Sequence, residues 1–425
     1  MFFILIFSPA PNAEEINMGR IFSLTSQKKT LNNIYQLSLE IEKAKYLQIR
    51  SNYYPHLKLE HLSSERGGDY EFEPVVSYRG FEVPIDINIF RKYETKLTLG
   101  QLLYDNNRIK QALQIEKSEI LIRKEEVRKI FLDELAVNLN LYFGILATKR
   151  KINLMEENLE LINKIVSISE VQLANGMITE IDLKIINNKR REQELFIRAE
   201  NRNLKTLKQI LAERLDISSV SIQGDNTPLI QIKEQTFYLE KLIISNPDIQ
   251  IQELRILQSN ANVKRNIAEK GPVISFFYTY ALRSDELLST NGAWIAGVNL
   301  SQDIFSGSLK KQRIIQAKKE KLLQEEIQKE LKEKQKVLLL EKFRKTEEVF
   351  ERFSIKEELV EIYSEKVQIE QSKLEAGKIS QLDFLKTSTE YTSYKIELEL
   401  LKIEFLKNYF ELLYITGLLD SYFGS

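Results

Sequence analysis

Two carboxylates, Asp182 and Asp383, each stand three residues after a hydroxyl residue and six residues after a glycine. A hydroxyl and a carboxylate at this spacing can form a capping box, in which each side chain bonds the backbone N–H of the other residue. The glycine before them suits the left-handed conformation that ends a helix. The pattern therefore predicts two helix-turn-helix junctions, in NGMITEID (175–182) and in AGKISQLD (376–383).

The other residue types that commonly perform catalysis or bind metals indicate no site. The chain has no cysteine, which excludes disulfides, thiolate metal sites and a cysteine nucleophile. Its two histidines, His56 and His61, are five residues apart on a candidate strand, so they lie on opposite faces. No phosphate-binding loop, nucleophile elbow or dinucleotide turn is present. We expect no enzyme, no cofactor and no metal.

Composition and charge limit the possible partners. The chain has 425 residues, 43% hydrophobic and 29% charged, with 61 basic and 61 acidic side chains. This balance gives no bulk field of the kind that attracts nucleic acid, so we expect no nucleic-acid partner. Residues 1–13 resemble a secretory signal segment that ends near Ala13. Beyond it we expect no transmembrane helix, because no run of about 18 apolar residues occurs.

The distribution of glycine and proline predicts two very long helices. Residues 106–175 contain no proline and one glycine, and residues 308–376 contain neither. Each run would form a helix of about 100 Å at about 1.5 Å per residue. Two short helices placed end to end could pair with one long helix. The shorter runs without glycine or proline are 20–54, 178–223, 248–270 and 378–416.

The chain also contains an internal repeat, which is typical of folds built from duplicated structural units. The segment LGQLLYDN (99–106) aligns with LSQDIFSG (300–307) at an offset of 201 residues, and Gly176 aligns with Gly377 at the same offset. We expect a first repeat at 14–225 with a turn at 175–179, and a second at 226–425 with a turn at 376–380.

The two repeats differ in length near their first strands. Ala44 precedes Pro55 by eleven residues, and Ala261 precedes Pro272 by the same number, but at an offset of 217. The first repeat must therefore contain 16 additional residues before its LGQ segment, the difference between the offsets of 217 and 201. The region 64–92 is where this insertion fits.

Between these anchors the apolar residues alternate with a period of two, which predicts strands. In the second repeat Tyr278, Tyr280 and Trp294 fall on the predicted apolar face, while the first repeat contributes Leu97, Leu99 and Leu103. Strands of this length can cross a hydrocarbon layer, with the aromatic side chains at its interface with water. The alternative is an antiparallel sheet that caps a helical bundle. The predicted strands are 55–63, 93–104, 273–282 and 294–305.

Apolar residues recur every seven positions along both long helices, in two ladders per helix. Ladders offset by two residues lie about 200° apart around the axis, so each long helix requires a neighbour on both sides, as in the wall of a cylinder. The ladders in the first repeat are Ile152, Leu159, Val166, Leu173 and Leu154, Leu161, Ile168; those in the second are Phe353, Val360, Val367, Leu374 and Ile355, Ile362, Ile369.

Four strands cannot close a barrel in a membrane, since open edges would leave backbone groups unsatisfied in lipid. Two chains would supply eight strands, whose interior is filled by side chains, whereas three would supply twelve and enclose a lumen. The fold class predicted from the residues is therefore mainly α with a membrane β-barrel contribution: long helical hairpins in a trimeric α-barrel and four strands per chain.

The duplicated order of helix, proline, strand pair, long helix, glycine turn and return helix resembles the TolC-type outer-membrane efflux proteins of Gram-negative bacteria. The second copy opens with NPDIQIQELRI (246–256) and closes with LLYITGLL (412–419). The resemblance implies a homotrimer with a twelve-stranded barrel in outer-membrane lipid and a periplasmic α-barrel. It also implies two partners, a periplasmic adaptor protein and an inner-membrane transporter, in an efflux or type I secretion system.

The same resemblance assigns roles to the two turns. The edge that docks the adaptor would be Asn175, Gly176 and Met177 together with Ala376, Gly377 and Lys378. Asp182 and Asp383 would lie at the periplasmic entrance, where the second entrance aspartate of the family is replaced by Lys386.

The family's locking tyrosine and arginine fall on Leu374 and Ile379, so its bonding network is not expected here. A soluble coiled-coil scaffold without a channel is the alternative function. It would explain the heptads but not the four strands.

Overall fold

The structure is a computed structural model that describes residues 14–64, 75–78, 81–84, 93–222, 231–284 and 292–423. The predicted signal segment and most of the 64–92 insertion lie outside these residues. The described helices and strands, in chain order, are β1 (Glu14–Glu15), α1 (Met18–Gln27), α2 (Lys29–Ser51), β2 (His56–Ser63), β3 (Val75–Tyr78), β4 (Phe81–Pro84), β5 (Tyr93–Tyr104), α3 (Arg108–Ala174), α4 (Glu180–Leu215), β6 (Val220–Ser221), α5 (Gln235–Ser245), α6 (Pro247–Ala268), β7 (Val273–Ser284), β8 (Gly292–Ser301), α7 (Leu309–Glu375), α8 (Gln381–Thr416) and α9 (Leu419–Phe423).

The chain divides into two compact units, which differ from the two sequence repeats. Unit 1 is drawn from Met1–Leu37, Lys124–Ile251 and Gln328–Ser425, and unit 2 from Ser38–Arg123 and Gln252–Ile327. Each unit contains segments of both repeats. The reason is that α3 and α7 each contribute one part to each unit and pair with a different short helix in each.

Unit 2 contains an antiparallel sheet of four strands in the order β2, β5, β7, β8. Pro55 and Pro272 directly precede β2 and β7, as the repeat predicts, because proline cannot donate to a sheet ladder but is tolerated at its start. Helices α2, α3, α6 and α7 also contribute to this unit. Polar side chains connect them in that order: Arg123 with Glu42 at 3.6 Å, Gln258 with Glu119 at 2.9 Å, and Gln252 with Gln324 at 2.9 Å.

Two residues at the junction between β5 and α3 also bond the carbonyls at the C-terminal end of α6. Arg108 donates to the carbonyls of Ala268, Glu269 and Gly271 at 3.4, 3.3 and 2.8 Å, and Asn106 donates to Ala268 at 2.9 Å. These donors satisfy carbonyls that have no partner inside a helix end. The sequence repeat carries no signal for this contact, since it joins the two repeats.

The strand boundaries differ from the predicted ones mainly at β8. The repeat predicts a strand to residue 305, but β8 ends at Ser301. Beyond it, Gly307 and Ser308 take positive φ angles of 56° and 69°, and Gln302 donates to the Lys270 carbonyl at 3.1 Å. The chain therefore turns toward α7 before the alternating pattern ends.

Unit 1 contains four long helical segments that are connected in the order α4, α3, α8, α7. Each connection is an ion pair: Lys151 with Glu200 at 2.6 Å between α3 and α4, Lys395 with Glu157 at 3.2 Å between α8 and α3, and Lys356 with Glu397 at 2.6 Å between α7 and α8. The helix α3 thus has a neighbour on each side. This is the arrangement that two apolar ladders on one helix predict.

An apolar core fixes the short elements of unit 1 to these helices. Leu132, Leu135, Leu139 and Phe143 of α3 are fully buried in it. Among the described helices, α3 alone is long and apolar enough by length and composition to cross a membrane, and 44% of its 18-residue apolar stretch is buried. A helix covered on two sides needs apolar residues around most of its circumference, so this composition also fits a helix packed inside a protein, and the expectation of no transmembrane helix stays a prediction.

The C-terminal segment is held in unit 1 by one arginine and a ring cluster. Arg128 of α3 bonds the Asp420 carboxylate at 2.8 Å and the carbonyls of Gly417 and Ser245 at 2.7 and 3.1 Å. Phe423 stacks on Phe22, with centroids 5.4 Å apart. Gly417 has a φ of +72°, and a Cβ at this position would lie 2.2 Å from the Ser245 carbonyl oxygen.

We expect Gly417→Ala to lower the thermal midpoint of unfolding more than Gly176→Ala. Both glycines are left-handed, which costs an alanine about 1–2 kcal/mol, but only Gly417 is crowded, since nothing lies within 4 Å of a Cβ at Gly176. Circular dichroism of the purified variants provides the measurement. Equal losses for the two variants would show that the close approach of Gly417 to Ser245 is unimportant.

Candidate functional site

The first predicted turn connects α3 to α4 through residues 175–179. Gly176 has a φ of +70°. Its N–H bonds the Leu173 carbonyl and the Met177 N–H bonds the Gln172 carbonyl, both at 2.9 Å. These two bonds are those of a Schellman motif, which satisfies the last carbonyls of a helix. The turn is therefore completed by its own backbone.

The capping box that starts α4 is present in full. The Asp182 N–H donates to the Thr179 hydroxyl at 3.2 Å, while the Thr179 N–H and hydroxyl donate to the Asp182 carboxylate at 3.0 and 2.7 Å. These bonds stabilise the ionised carboxylate, so the pKa of Asp182 is lowered, first by the hydroxyl of Thr179 and then by its backbone N–H.

The second turn repeats this geometry between α7 and α8. Gly377 has a φ of +71°, and its N–H bonds the Leu374 carbonyl at 2.9 Å. Asp383 and Ser380 form the same capping box, with the Ser380 hydroxyl 2.7 Å from the carboxylate. The pKa of Asp383 is lowered by this hydroxyl, by the backbone N–H and, least, by the positive charge of Lys386.

Most of the residues assigned to the docking edge and the entrance are exposed at these two turns. They are Asn175, Gly176, Met177, Ala376, Gly377, Lys378 and, on the following helix, Asp383 and Lys386, whereas Asp182 is half-buried. Beneath the turns, a small apolar cluster joins all four helices. Its fully buried members include Ile165 of α3, Ile186 of α4, and Phe384 and Leu385 of α8. The structure therefore brings both turns to the same end of unit 1.

The four-stranded sheet has one largely apolar face and an opposite face on which most side chains are polar or small, with Ile295 as an exception. Paired residues on neighbouring strands project to the same side, so the register assigns each row to a face. On the second face the Thr98 and Thr279 hydroxyls are 3.4 Å apart. The apolar rows are Leu57, Leu99, Tyr278, Ala296 and Leu59, Leu97, Tyr280, Trp294; the opposite rows are Lys58, Thr98, Thr279, Ile295 and Glu60, Lys96, Ala281, Ala293.

The apolar face is most exposed on the two outer strands. Leu59 and Trp294 are 70% and 69% exposed. The predicted interface aromatics lie together, since the rings of Tyr278 and Trp294 stack with centroids 6.3 Å apart. Leu103, however, does not continue the row of Leu97 and Leu99. A bulge between Leu102 and Tyr104 places Tyr104 opposite Ile274 instead.

The two outer strands of this sheet have open edges. In the described part of the chain, β2 pairs only with β5, and β8 pairs only with β7. Every residue of β2 is exposed, as is nearly every residue of β8. An uncovered edge presents a row of unpaired N–H and C=O groups that can accept another strand.

The outer helices of unit 1, α7 and α4, also carry apolar side chains that are exposed in the single chain. The ladder of Ile355, Ile362 and Ile369 on α7 is 68%, 53% and 56% exposed. Val360 and Val367 of its other ladder are half-buried, and Val367 packs against the cluster that contains Phe384 and Leu385 of α8. On α4, a second exposed apolar stripe was not singled out from the sequence. It consists of Ile181, Ile185, Leu195 and Phe196. Their helical spacing is visible in the sequence, but exposure is not.

The two histidines lie on β2 of unit 2. His61 Nδ1 lies 2.8 Å from the Thr95 hydroxyl, and His56 stands opposite Gly100. Their odd separation puts them on opposite faces. Within the described ranges, no group of three His, Asp or Glu side chains has the arrangement to hold a metal ion.

Residues 238–418 match the family model described as outer membrane efflux protein. No curated protein sequence matches the chain. The resemblance to TolC-type efflux proteins is confirmed by the family match and by the structural similarities that accompany it.

Solved structures share the fold over almost the whole chain. CusC, whose crystal structures concern transmembrane channel formation, has a TM-score of 0.78 and 16% identity, covering 97% of this chain and 95% of its own. The outer membrane channel CmeC of Campylobacter jejuni gives 0.73 and 14%, covering 98% and 91%. The outer membrane protein VceC of Vibrio cholerae gives 0.74 and 16%, covering 94% and 96%. The predicted fold class, mainly α with a four-stranded contribution, is confirmed.

We expect Asp182→Asn and Asp383→Asn to increase hydrogen exchange in the first turns of α4 and α8 at neutral pH. Because the folded-state pKa of each carboxyl is lowered below the ordinary value of 3.8, its contribution is present above that pH. It is lost as the pH falls through the lowered value. Wild-type exchange, corrected for intrinsic rates, should approach that of the variants in acid.

Glu180→Gln is the matched control, since Glu180 is in the same first turn but pairs with Lys184 at 3.6 Å rather than with the cap. Unchanged exchange in the Asp variants would contradict a capping role.

Proposed function

We infer that this chain, which has the fold of the outer-membrane efflux channels and matches their family model over residues 238–418, is a passive channel of the outer membrane. It extends into the periplasm and exports substances to the cell exterior. The family is one of channels rather than enzymes. The alternative of a soluble coiled-coil scaffold is not supported.

The observation that carries this proposal is the two-faced sheet with two open edges. In a bilayer, the apolar rows of Leu57 and Leu59 would face lipid, and the rows of Lys58 and Glu60 would face water. Unpaired edge groups in hydrocarbon cost several kcal/mol each, so β2 and β8 must pair with other strands there. Further copies of the same chain supply strands of matching length.

Three copies are the arrangement that the strand number favours. Twelve strands would close a barrel wide enough for water, whereas eight would be filled by their own side chains. In this barrel Trp294, Tyr278 and Tyr280 would form part of the aromatic belt at the lipid surface. We propose a homotrimer in outer-membrane lipid on this basis.

The exposed ladder of α7 supports assembly independently of the sheet. Burying a fully exposed isoleucine stabilises by roughly 1.5–3 kcal/mol; because Ile355, Ile362 and Ile369 are 68%, 53% and 56% exposed, covering them would contribute roughly 3–5 kcal/mol per interface. A ring of copies also needs two different surfaces on each chain. The stripe on α4 and the ladder on α7 provide two such surfaces.

The two turns are proposed as the docking edge for a periplasmic adaptor protein. They are exposed, adjacent and built entirely from their own backbone and capping bonds, so their surface side chains are free to meet a partner. An inner-membrane transporter would drive export through the adaptor, in an efflux pump or a type I secretion system. Asp182, Asp383 and Lys386 would lie at the entrance, where Lys386 makes the charge mixed rather than wholly acidic.

We expect the wild-type protein to produce discrete conductance in planar lipid bilayers and Leu97→Arg to abolish insertion. An arginine on the lipid face costs about 2–4 kcal/mol near the bilayer centre. The neighbouring variant Thr98→Arg is the matched control, because Thr98 lies on the opposite face. It should insert and change ion selectivity. Absence of wild-type conductance, or equal insertion of both variants, would refute the proposed channel.

We expect Lys378→Glu to reduce export in cells while conductance and oligomeric state stay unchanged. Its side chain is exposed at the second turn, so reversing its charge alters the docking edge alone. The measurement is accumulation of an exported dye in the native organism carrying the variant. Lys334→Glu, the same charge change on an exposed position of α7, is the control. If export were normal in the Lys378 variant, this edge would not be the docking surface.

A further inference from the structure

We propose that Glu94 is a specificity-determining residue of the channel, because it pairs with two basic side chains, Lys96 and Arg283, and so limits the positive charge that lines the lumen. The inference rests on the proposed trimeric channel and deepens it by naming a residue that controls which ions pass. Without the charge of Glu94, the lumen would favour anions more strongly.

The four-stranded sheet carries all its formal charges on one face. Among the described residues of β2, β5, β7 and β8, the acidic and basic side chains are Lys58, Glu60, Glu94, Lys96 and Arg283. The register pairs Glu60 with Lys96 and Glu94 with Arg283, and side chains two residues apart on one strand share a face. Because a charged side chain is costly in hydrocarbon, this face lines the lumen of the proposed barrel.

Glu94 and Arg283 lie at the end of the sheet that is opposite its connections to the helices. Glu94 is the second residue of β5, whose other end leads to α3, and Arg283 is the last but one of β7, which follows α6. On the same face nearer the helices, Phe277 stands between Gly100 and Gly297, which carry no charge. The five charged residues therefore form a belt toward the mouth that would open to the exterior. We call this set the charged belt.

Glu94 is at the centre of the ion pairs in the charged belt. One carboxylate oxygen lies 2.8 Å from the Lys96 ammonium, and the other accepts from Arg283 Nε at 2.5 Å. The side chain of Glu94 is 17% exposed, whereas those of Lys96 and Arg283 are 36% and 53% exposed. One carboxylate thus restrains two cations on two neighbouring strands, and removing its charge would release both toward the lumen.

The charged belt has an excess of positive charge. Glu60 stands opposite Lys96 and pairs with Lys58 at 2.5 Å. The described strands therefore contribute three basic and two acidic side chains per chain. Neutralising Glu94 would raise the excess from one positive charge to two in each copy, and neutralising Arg283 would remove the excess. Three copies would multiply each change by three.

The proposed lumen is narrow enough for these charges to act across it. Twelve strands about 4.8 Å apart and tilted by about 40° enclose about 24 Å between opposite backbones. Side chains that point inward then hold their charges within about 10 Å of the axis. The Debye length is about 10 Å at 0.1 M salt and about 3 Å at 1 M, so the charged belt acts on passing ions at low salt only.

Reversal potentials in planar bilayers test the role of Glu94. In a KCl gradient centred near about 0.1 M, Glu94→Gln should raise the ratio of chloride to potassium permeability roughly twofold or more. Arg283→Gln should lower this ratio by a similar factor, and it tests the charged belt even if Glu94→Gln does not insert. The double variant should return to the wild-type ratio, since the two lost charges cancel. A purely structural role for Glu94 would not be restored by removing its partner.

Two controls accompany these variants. Glu234→Gln makes the same charge change at an exposed position outside the sheet and should leave the ratio unchanged. At about 1 M KCl all variants should approach the wild type, because the Debye length is then shorter than the distance to the axis.

The outcomes separate this proposal from the one on which it rests. A wild-type ratio in Glu94→Gln at low salt, or a double variant that behaves like Glu94→Gln, would overturn the role of Glu94 and leave the channel intact. An equal shift in Glu234→Gln would show that the net charge of the chain, rather than the charged belt, sets selectivity. A wild-type protein without conductance would instead overturn the channel.

Discussion

The structure depends above all on apolar residues that lie on two sides of each long helix. Two ladders about 200° apart cannot both be buried by one neighbour. In unit 1, α3 meets this requirement within the chain, since α4 and α8 lie on either side of it. For α7 only one ladder is covered, by α8. The row of four helices in unit 1 therefore has one exposed apolar surface at each end, one on α4 and one on α7.

The sheet of unit 2 likewise has groups that are unsatisfied in the single chain, namely strand edges and apolar side chains. Among the described residues its strands pair with one another except along the outer edges of β2 and β8, and Leu59 and Trp294 on its apolar face are largely exposed. In water, such a sheet would expose both unpaired backbone groups and large apolar side chains. A bilayer would cover the apolar side chains, and strands from additional copies would pair with the backbone groups at the edges. The proposed channel would therefore combine lipid and further copies.

The two turns contrast with these surfaces because they are complete in one chain. The Schellman bonds of Gly176 and Gly377 and the two capping boxes satisfy the helix ends locally. Their stability therefore makes no demand on a partner, and their exposed side chains can vary without loss of the turn. This independence is consistent with Lys386 standing where an acidic side chain was expected from the resemblance.

Much of this architecture was predictable from residue patterns. The breaker-free runs, the glycine turns and the repeat anticipated α3, α7 and the two turns closely, because glycine and capping residues act within a few positions of themselves. The alternation of Tyr278 and Tyr280 with small residues likewise indicated a two-faced strand. The end of β8 was misplaced, since a turn at Gly307 and Ser308 and a bond from Gln302 override the alternation there.

The sequence by itself determined which segments are helical or extended, where they turn and that each long helix needs two neighbours, since these follow from local geometry and periodicity. Only the tertiary structure decided which ladders are covered, that Arg108 closes the end of α6, that Arg128 holds the C-terminal segment, and which strands are left at the edges. These contacts join residues far apart in the chain, and periodicity cannot distinguish an apolar residue that is buried from one that still awaits a neighbour.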